Sequence, residues 1–205
     1  LFESVIYGKF TSAKYIDAIL DFSGCDAGFG YGGSVVLRWQ GLTRWKFMYY
    51  LEGYRTERSF KYPARDGRDL LLRQVDYEVK GALTTGLVFS DFNKNASMTQ
   101  SLFYLLNSSE ACSKTGSLQQ LLEWNQVDLN GDRNPDLQAI VKSGVYLRRG
   151  ATPKAPCDGQ LFTGPSRNYT LEYTFDGAQF MPTKATREMI TELLKDNPNF
   201  LGPID

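Results

Sequence analysis

Apolar and polar residues alternate along several short stretches of this chain. In the segment 16–22 the even-numbered residues are all apolar, whereas Asp17 and Asp21 lie on either side of Ile19 at the odd-numbered positions. A period of two predicts a β-strand, because successive side chains of a strand point to opposite faces of the sheet. Similar alternation, or enrichment in aromatic and β-branched residues, predicts further strands at 34–39, 45–51, 69–75, 86–92, 101–106, 137–141, 145–149, 168–175 and 179–181.

Turn-forming residues separate these strands. The glycine-rich stretch 24–33 and Gly41 connect the first three strands, which we expect to form an antiparallel meander. Asp176 and Gly177 form a hairpin dipeptide between the last two strands. The pattern predicts a single β-rich domain over residues 1–205.

The hydrophobic period changes near the end of the chain. The apolar residues that share one helical face there are Met189, Ile190, Leu193 and Leu194. Thr183 or Thr186 is suited to begin this helix, and Pro198 would end it. We therefore predict a C-terminal helix over 184–196 that packs on the sheet.

A weak internal repetition accompanies the strand pattern. Four segments, beginning at Tyr7, Phe60, Val88 and Trp124, place a polar loop before an apolar strand. The spacing between their corresponding positions is too irregular for a uniform repeat protein. Two interpretations remain open: degenerate blade-like units near 7–55, 60–106 and 118–182, or a repetition by chance.

Composition narrows the range of partners. The chain has 12 Tyr, 13 Phe and 19 Gly, which favours many short strands joined by tight turns. Lysine and arginine number 23, as do aspartate and glutamate, so the net charge is zero and no nucleic-acid or anionic-membrane partner is expected. No apolar run approaches the length of a membrane-spanning helix. The first residues, LFESVIYGKF, lack a basic region followed by a long apolar core, so we expect that a signal peptide, if there was one, has already been removed.

The histidine and cysteine content limits the chemistry further. There is no histidine, which excludes a histidine-based triad and most zinc or copper sites within this chain. The three cysteines lack the CxxC spacing of metal clusters and redox pairs. Cys112 and Cys157 lie in polar segments and are our preferred disulfide pair, with Cys25 left over. The alternative is three unpaired, mostly buried cysteines.

One segment has the composition of a cation site. Asp128, Asn130, Asp132 and Asp136 present side-chain oxygens at even spacing, and the carbonyl of Asn134 lies between the last two. Ca²⁺ prefers six to eight oxygen ligands, which a chain wrapping around one ion supplies from alternate positions. Within the segment, Gly131 permits the sharp turn that such wrapping requires.

These residues carry a family resemblance. The stretch DLNGDRNPDL, residues 128–137, resembles the DxDGDGxxDL signature of FG-GAP and VCBS-type repeats, which build integrin-like β-propellers and bind Ca²⁺ in an inter-strand loop. The resemblance implies side-chain ligation by Asp128, Asn130, Asp132 and Asp136, and main-chain ligation by Asn134. Arg133 replaces the family's usual glycine, and Asn130 replaces a charged ligand, which predicts weakened affinity.

Two other interpretations of the loop compete with calcium binding. Asp, Asn and Gly also form exposed turns, because Asx side chains bond the nearby backbone and tolerate left-handed conformations. An EF-hand is disfavoured, because Ala139 occupies the position of its bidentate glutamate and no helical pattern precedes Asp128.

The strand pattern and the resemblance together predict a mainly β fold with antiparallel sheets of degenerate propeller-blade-like units, to which the change of period near the end adds a short C-terminal helix. The resemblance further implies a non-catalytic binding or structural module, secreted or in the periplasm or cell envelope, which recognises protein or carbohydrate. The competing hypothesis is a hydrolase of polysaccharide or peptide that uses carboxylates from distant strands. A third is a subunit whose sheet is completed by a partner chain.

Overall fold

The computed structural model describes residues 1–23, 31–79, 82–92, 99–109, 111–150, 157 and 160–196. Within these residues the chain forms eleven strands and one helix. They are β1 (Phe2–Gly8), β2 (Asp17–Phe22), β3 (Tyr31–Trp39), β4 (Trp45–Pro63), β5 (Asp69–Val79), β6 (Ala82–Ser90), β7 (Thr99–Asn107), β8 (Thr115–Val127), β9 (Asp136–Arg149), β10 (Gln160–Phe175), β11 (Phe180–Pro182) and α1 (Lys184–Asp196). The mainly β prediction is confirmed, as is the C-terminal helix at 184–196.

Strand order follows chain order from β1 to β11, and the pairs recorded in detail are antiparallel. The ladder divides into two sheets within the long strand β4. Residues 45–54 of β4 pair with β3 in the first sheet, and residues 55–63 pair with β5 in the second. The predicted meander of the first strands is therefore present, but a closed propeller-like arrangement stays a prediction.

The chain forms two compact units. The first comprises Leu1–Tyr77, Gly86–Leu102 and Gly177–Gln179, and the second comprises Glu78–Thr85, Phe103–Asp176 and Phe180–Asp205. The first sheet, β1 to β4, lies within the first unit. The hairpin that carries the DLNGDRNPDL segment lies within the second.

The interior of the first unit combines an apolar core with buried polar groups. Its core residues are Phe10, Ile19, Val36, Leu71 and Phe92. Asp17 is fully buried, and its carboxylate accepts hydrogen bonds from the backbone N–H and hydroxyl of Thr11, both at 2.7 Å. These bonds replace the hydration that the carboxylate loses on burial.

A second buried group of polar residues surrounds Asp21. Its carboxylate accepts hydrogen bonds from the hydroxyls of Ser4, at 3.0 Å, and Ser34, at 2.5 Å. The guanidinium of Arg73 donates to Ser34 Oγ at 3.1 Å and to Ser90 Oγ at 3.2 Å. The acidic side of β2 therefore faces the protein interior, where it is fully hydrogen-bonded.

The opposite face of the first sheet is apolar as well. We call it the outer face, and two rows of paired residues cross it from β1 to β4: Tyr7, Ala18, Leu37 and Phe47 in one row, and Val5, Leu20, Val35 and Tyr50 in the other. At one end of the face, Trp39 pairs with Trp45 and their ring centroids lie 5.1 Å apart. Both faces of this sheet are thus lined by apolar side chains.

Tyr49 on β4 gives the first unit a predicted alkaline transition. Burial, with the nearby charges of Asp17 and Asp91, raises the pKa of Tyr49 to about 12 from 10.0. The unfolded chain releases this proton first, so the contribution to stability is complete below about pH 10 and is lost as the pH rises towards 12. Urea unfolding between pH 9 and 12 should show a smaller decline in Tyr49→Phe than in the wild type; equal declines would contradict the assignment.

The second unit is built on β8, β9 and β10. Alternate residues of these strands fill its core, among them Trp124, Leu137, Val141, Leu171 and Tyr173. The helix α1 packs on β10 and β11 and buries Leu193. Thr183 begins the helix, because its hydroxyl accepts the Thr186 N–H at 3.2 Å, as the sequence predicted for one of these two threonines.

The predicted disulfide is present between Cys112 and Cys157, whose Cα atoms lie 4.6 Å apart. Cys112 precedes β8 and Cys157 follows β9. The bond therefore ties the open end of the β8–β9 hairpin. Cys25 lies outside the described residues, as do the turn at 24–30 and most of the segment 150–159.

Candidate metal centre

Residues 128–136, which we call the aspartate loop, lie at the closed end of the β8–β9 hairpin. The ladder of this hairpin ends at the pair Val127 and Asp136, so residues 128–135 project beyond it. Gly131 has a φ of 78° and Arg133 a φ of 68°, both in the left-handed region. The sharp turn predicted at Gly131 is therefore confirmed, and the loop follows a strand, unlike that of an EF-hand.

Asx side chains hold the loop through its own backbone. Asp128 accepts the N–H of Gly131 on Oδ1, at 2.7 Å, and the N–H of Arg133 on Oδ2, at 3.2 Å. Asn130 Oδ1 accepts the Asp132 N–H at 2.9 Å. These short-range bonds from side chain to backbone are those of the Asx-turn interpretation.

Asp132 lies at the tip of this hydrogen-bonded loop. Its Oδ1 accepts the N–H of Asn134 at 2.7 Å, and its Oδ2 accepts a side-chain N–H of Asn130 at 3.1 Å. The backbone bond from Asn134 is the main cause that lowers the pKa of Asp132 below its ordinary value. The side chain is exposed to solvent, and the bonds that it accepts favour its charged form.

Asp136 connects the loop to the rest of the second unit. Its side chain is fully buried. Oδ2 accepts the N–H of Leu129 at 3.1 Å, and Oδ1 accepts the N–H of Phe175 on β10 at 2.7 Å. From the sequence, Asp136 is predicted only as a cation ligand. Its bond to Phe175 could not be predicted, because the two residues are 39 positions apart in the chain.

Other strand-initiating loops have an arginine beside their carboxylates. The side chain of Arg38 lies 3.3 Å from Asp17, the first residue of β2. Arg68, just before β5, pairs with Asp66 at 2.6 Å and with Asp91 at 2.5 Å. Within the described part of the chain, neither Asp128 nor Asp132 forms an ion pair. No lysine or arginine among the described residues therefore neutralises these two carboxylates of the aspartate loop.

The donor set of the aspartate loop fits Ca²⁺ in chemistry. It offers three carboxylates, a side-chain amide oxygen and a main-chain carbonyl, which are hard oxygen ligands. A carboxylate oxygen that accepts one N–H retains a second lone pair for a cation. Among the described residues, however, no three acidic or cysteine side chains lie close enough together to hold a metal. Binding would therefore require Asn130 to release Asp132 and the side chains to converge.

Asp17 with Asp21 is one pair of carboxylates that a hydrolase could use, and Glu110 with Glu123 is another. Asp17 and Asp21 are buried inside the first unit and hydrogen-bonded to Thr11 and to Ser4 and Ser34. Glu110 lies outside the described residues. A cavity of about 170 Å³ in the second unit is lined by amide, hydroxyl, aliphatic and glycine positions together with Lys142, without a carboxylate.

Comparison of the chain with models of known families, with curated proteins and with solved structures gave no match. The resemblance to FG-GAP and VCBS-type repeats therefore rests on the aspartate loop itself. No helix in the described part of the chain combines the length and apolar character needed to cross a membrane.

Proposed function

We propose that this protein is an exported, non-catalytic binding or structural module whose loop 128–136 binds one Ca²⁺. The observation that carries the proposal is the charge of Asp128 and Asp132, which no lysine or arginine among the described residues neutralises, in a loop whose Asx side chains already bond its own backbone. In the loops before β2 and β5 an arginine supplies the positive charge. A divalent cation would take that place in the aspartate loop.

The role of the ion is to fix the end of the β8–β9 hairpin. Asp128, Asn130 and Asp132 would supply side-chain oxygens, Asn134 its carbonyl, and Asp136 a carboxylate already anchored to β10. The partner of the module, protein or carbohydrate, would be recognised by surfaces that the ordered hairpin helps to hold in place. The disulfide supports export, because such bonds persist in oxidising compartments.

Thermal unfolding tests the calcium site. Millimolar Ca²⁺ is expected to stabilise the protein relative to excess EDTA, by about 2.7 kcal/mol if the free concentration is 100 times the dissociation constant. Asp132→Ala should abolish the increment. Mg²⁺ should stabilise less, because it requires a smaller octahedral shell and loses water reluctantly.

A control variant distinguishes Ca²⁺ binding at the loop from a general effect of removing one negative charge. Glu188→Ala removes an exposed acidic side chain on α1 and should retain the full response to Ca²⁺. Equal unfolding temperatures in EDTA and in several millimolar Ca²⁺ would overturn the proposal. The loop would then be a polar Asx turn.

A further inference from the structure

The outer face of the first sheet is unusual for a surface exposed to solvent. An antiparallel sheet with one solvated face normally alternates apolar and polar residues along each strand. Here the residues that alternate with buried Asp17, Ile19 and Asp21 on β2 are themselves apolar. The polar side of the strand is hydrogen-bonded inside the protein, and on the apolar side Ala18 is buried beneath neighbouring side chains of the outer face while Leu20 and Phe22 are partly exposed.

Large aromatic side chains on this face remain exposed. Tyr7 is 53 % exposed, Phe47 58 %, Tyr50 52 % and Trp45 39 %. A free aromatic side chain offers roughly 200 Å² of surface, so these four together expose about 400 Å². The exposed parts of Phe2 and Val5 add to this area. Each partner contributes roughly 800 Å² to a stable protein interface, so these side chains together supply more than half of that area.

The aromatic side chains of the outer face contact one another and the sheet beneath them. The rings of Tyr7 and Trp45 lie 6.0 Å apart, although their strands are separated by two others. The ring of Tyr50 lies over Gly33, where an added Cβ would come within 2.6 Å of it. Glycine at position 33 therefore lets an aromatic side chain lie flat on the sheet.

We propose that the outer face is a homodimer interface, which packs against the same face of a second copy of this chain. The two rows named above contain no charged residue, so they can pack against the same rows of a second copy without burying a charge. The neighbouring row, which begins at Phe2, reaches an acidic residue only at its β4 position, Glu52. A two-fold axis allows such self-complementary contact, and two twisted sheets pack face to face at about 10 Å separation. An anionic lipid surface would be attracted by lysine or arginine on these rows, and neither is present.

The experiment is sedimentation of the full chain between 1 and 100 µM, in Ca²⁺ and in EDTA. The wild type is expected to sediment as a dimer of 23.2 kDa chains in both conditions, because the face lies outside the unit that carries the aspartate loop. Phe47→Glu should raise the dissociation constant by at least about 100-fold, since it would bury an unpaired charge. Circular dichroism should show that this exposed substitution preserves the fold.

Leu122→Glu is the control variant, because Leu122 is 45 % exposed on β8 in the second unit. It should leave the dimer intact. A wild type that stays monomeric at 100 µM would overturn the proposal, as would equal weakening of the dimer by both substitutions. Flotation of a monomeric wild type with phosphatidylcholine vesicles, lost in Phe47→Glu, would overturn it in favour of a lipid surface.

Discussion

Removing the disulfide between Cys112 and Cys157 is expected to lower the free energy of unfolding by about 4 kcal/mol. The two cysteines are 45 residues apart in sequence, and closing a loop of that length in the unfolded chain restricts its entropy by about this amount. In the folded protein the bond joins the two strands at the open end of the β8–β9 hairpin. Without it, the unfolded chain is free to separate residues 112 and 157, and its entropy rises. Guanidinium unfolding of the double variant Cys112→Ser/Cys157→Ser measures the change.

A reduced wild type provides the control for this prediction. Reduction should lower the stability to that of the double variant, because both remove the same cross-link. Cys25→Ser under oxidising conditions should retain the cross-link. A loss of less than about 1 kcal/mol in the double variant would show that the hairpin ends are already restricted in the unfolded chain.

The strands of the first sheet could be predicted from the sequence, but the face of the sheet that is buried could not. Alternation identified the strand at 16–22, observed as β2. The apolar side would ordinarily be assigned to the core, yet Asp17 and Asp21 are the buried side. The two aspartates are bound by residues from other segments, namely Thr11, Ser34 and Arg38. A local sequence pattern does not predict these contacts.

The sequence pattern does not predict β1 or β8, because neither strand alternates clearly between apolar and polar residues. β1 has exposed residues at most of its positions, and β8 carries a run of polar residues around Leu121, so neither shows a clear period of two. β9 was predicted as two strands because Lys142, Ser143 and Gly144 interrupt its apolar pattern. The structure continues the strand through them, with Gly144 opposite Leu118 of β8 and Ser166 of β10.

The aspartate loop, in contrast, is held mainly by contacts between residues that are close in sequence. Its turn could be predicted from Gly131 and the Asx spacing, because its hydrogen bonds connect residues within five positions of one another. The disulfide was favoured because both cysteines lie in polar segments. The anchoring of Asp136 on β10 could not be predicted, because a β-meander brings those residues together only after the intervening strands have paired.

Asp136→Ala is expected to lower the free energy of unfolding by about 3 kcal/mol even in EDTA. The carboxylate is fully buried and accepts the N–H groups of Leu129 and Phe175, and its removal leaves two donors without this acceptor. An unsatisfied buried donor costs about 1–3 kcal/mol. Asp132→Ala, at an exposed position, should cost less than about 1 kcal/mol in EDTA. Urea unfolding of both variants in EDTA measures the two effects.

The same two variants separate anchoring from ligation when Ca²⁺ is added. Both should lose the increment due to the ion, since each removes a carboxylate from the donor set. The difference between them should therefore persist, because it arises from the backbone bonds of Asp136. Equal destabilisation of the two variants in EDTA would show that Asp136 does not anchor the loop. A buried, pre-bonded aspartate at the start of β9 would make ion binding and hairpin order parts of one equilibrium, so that each strengthens the other.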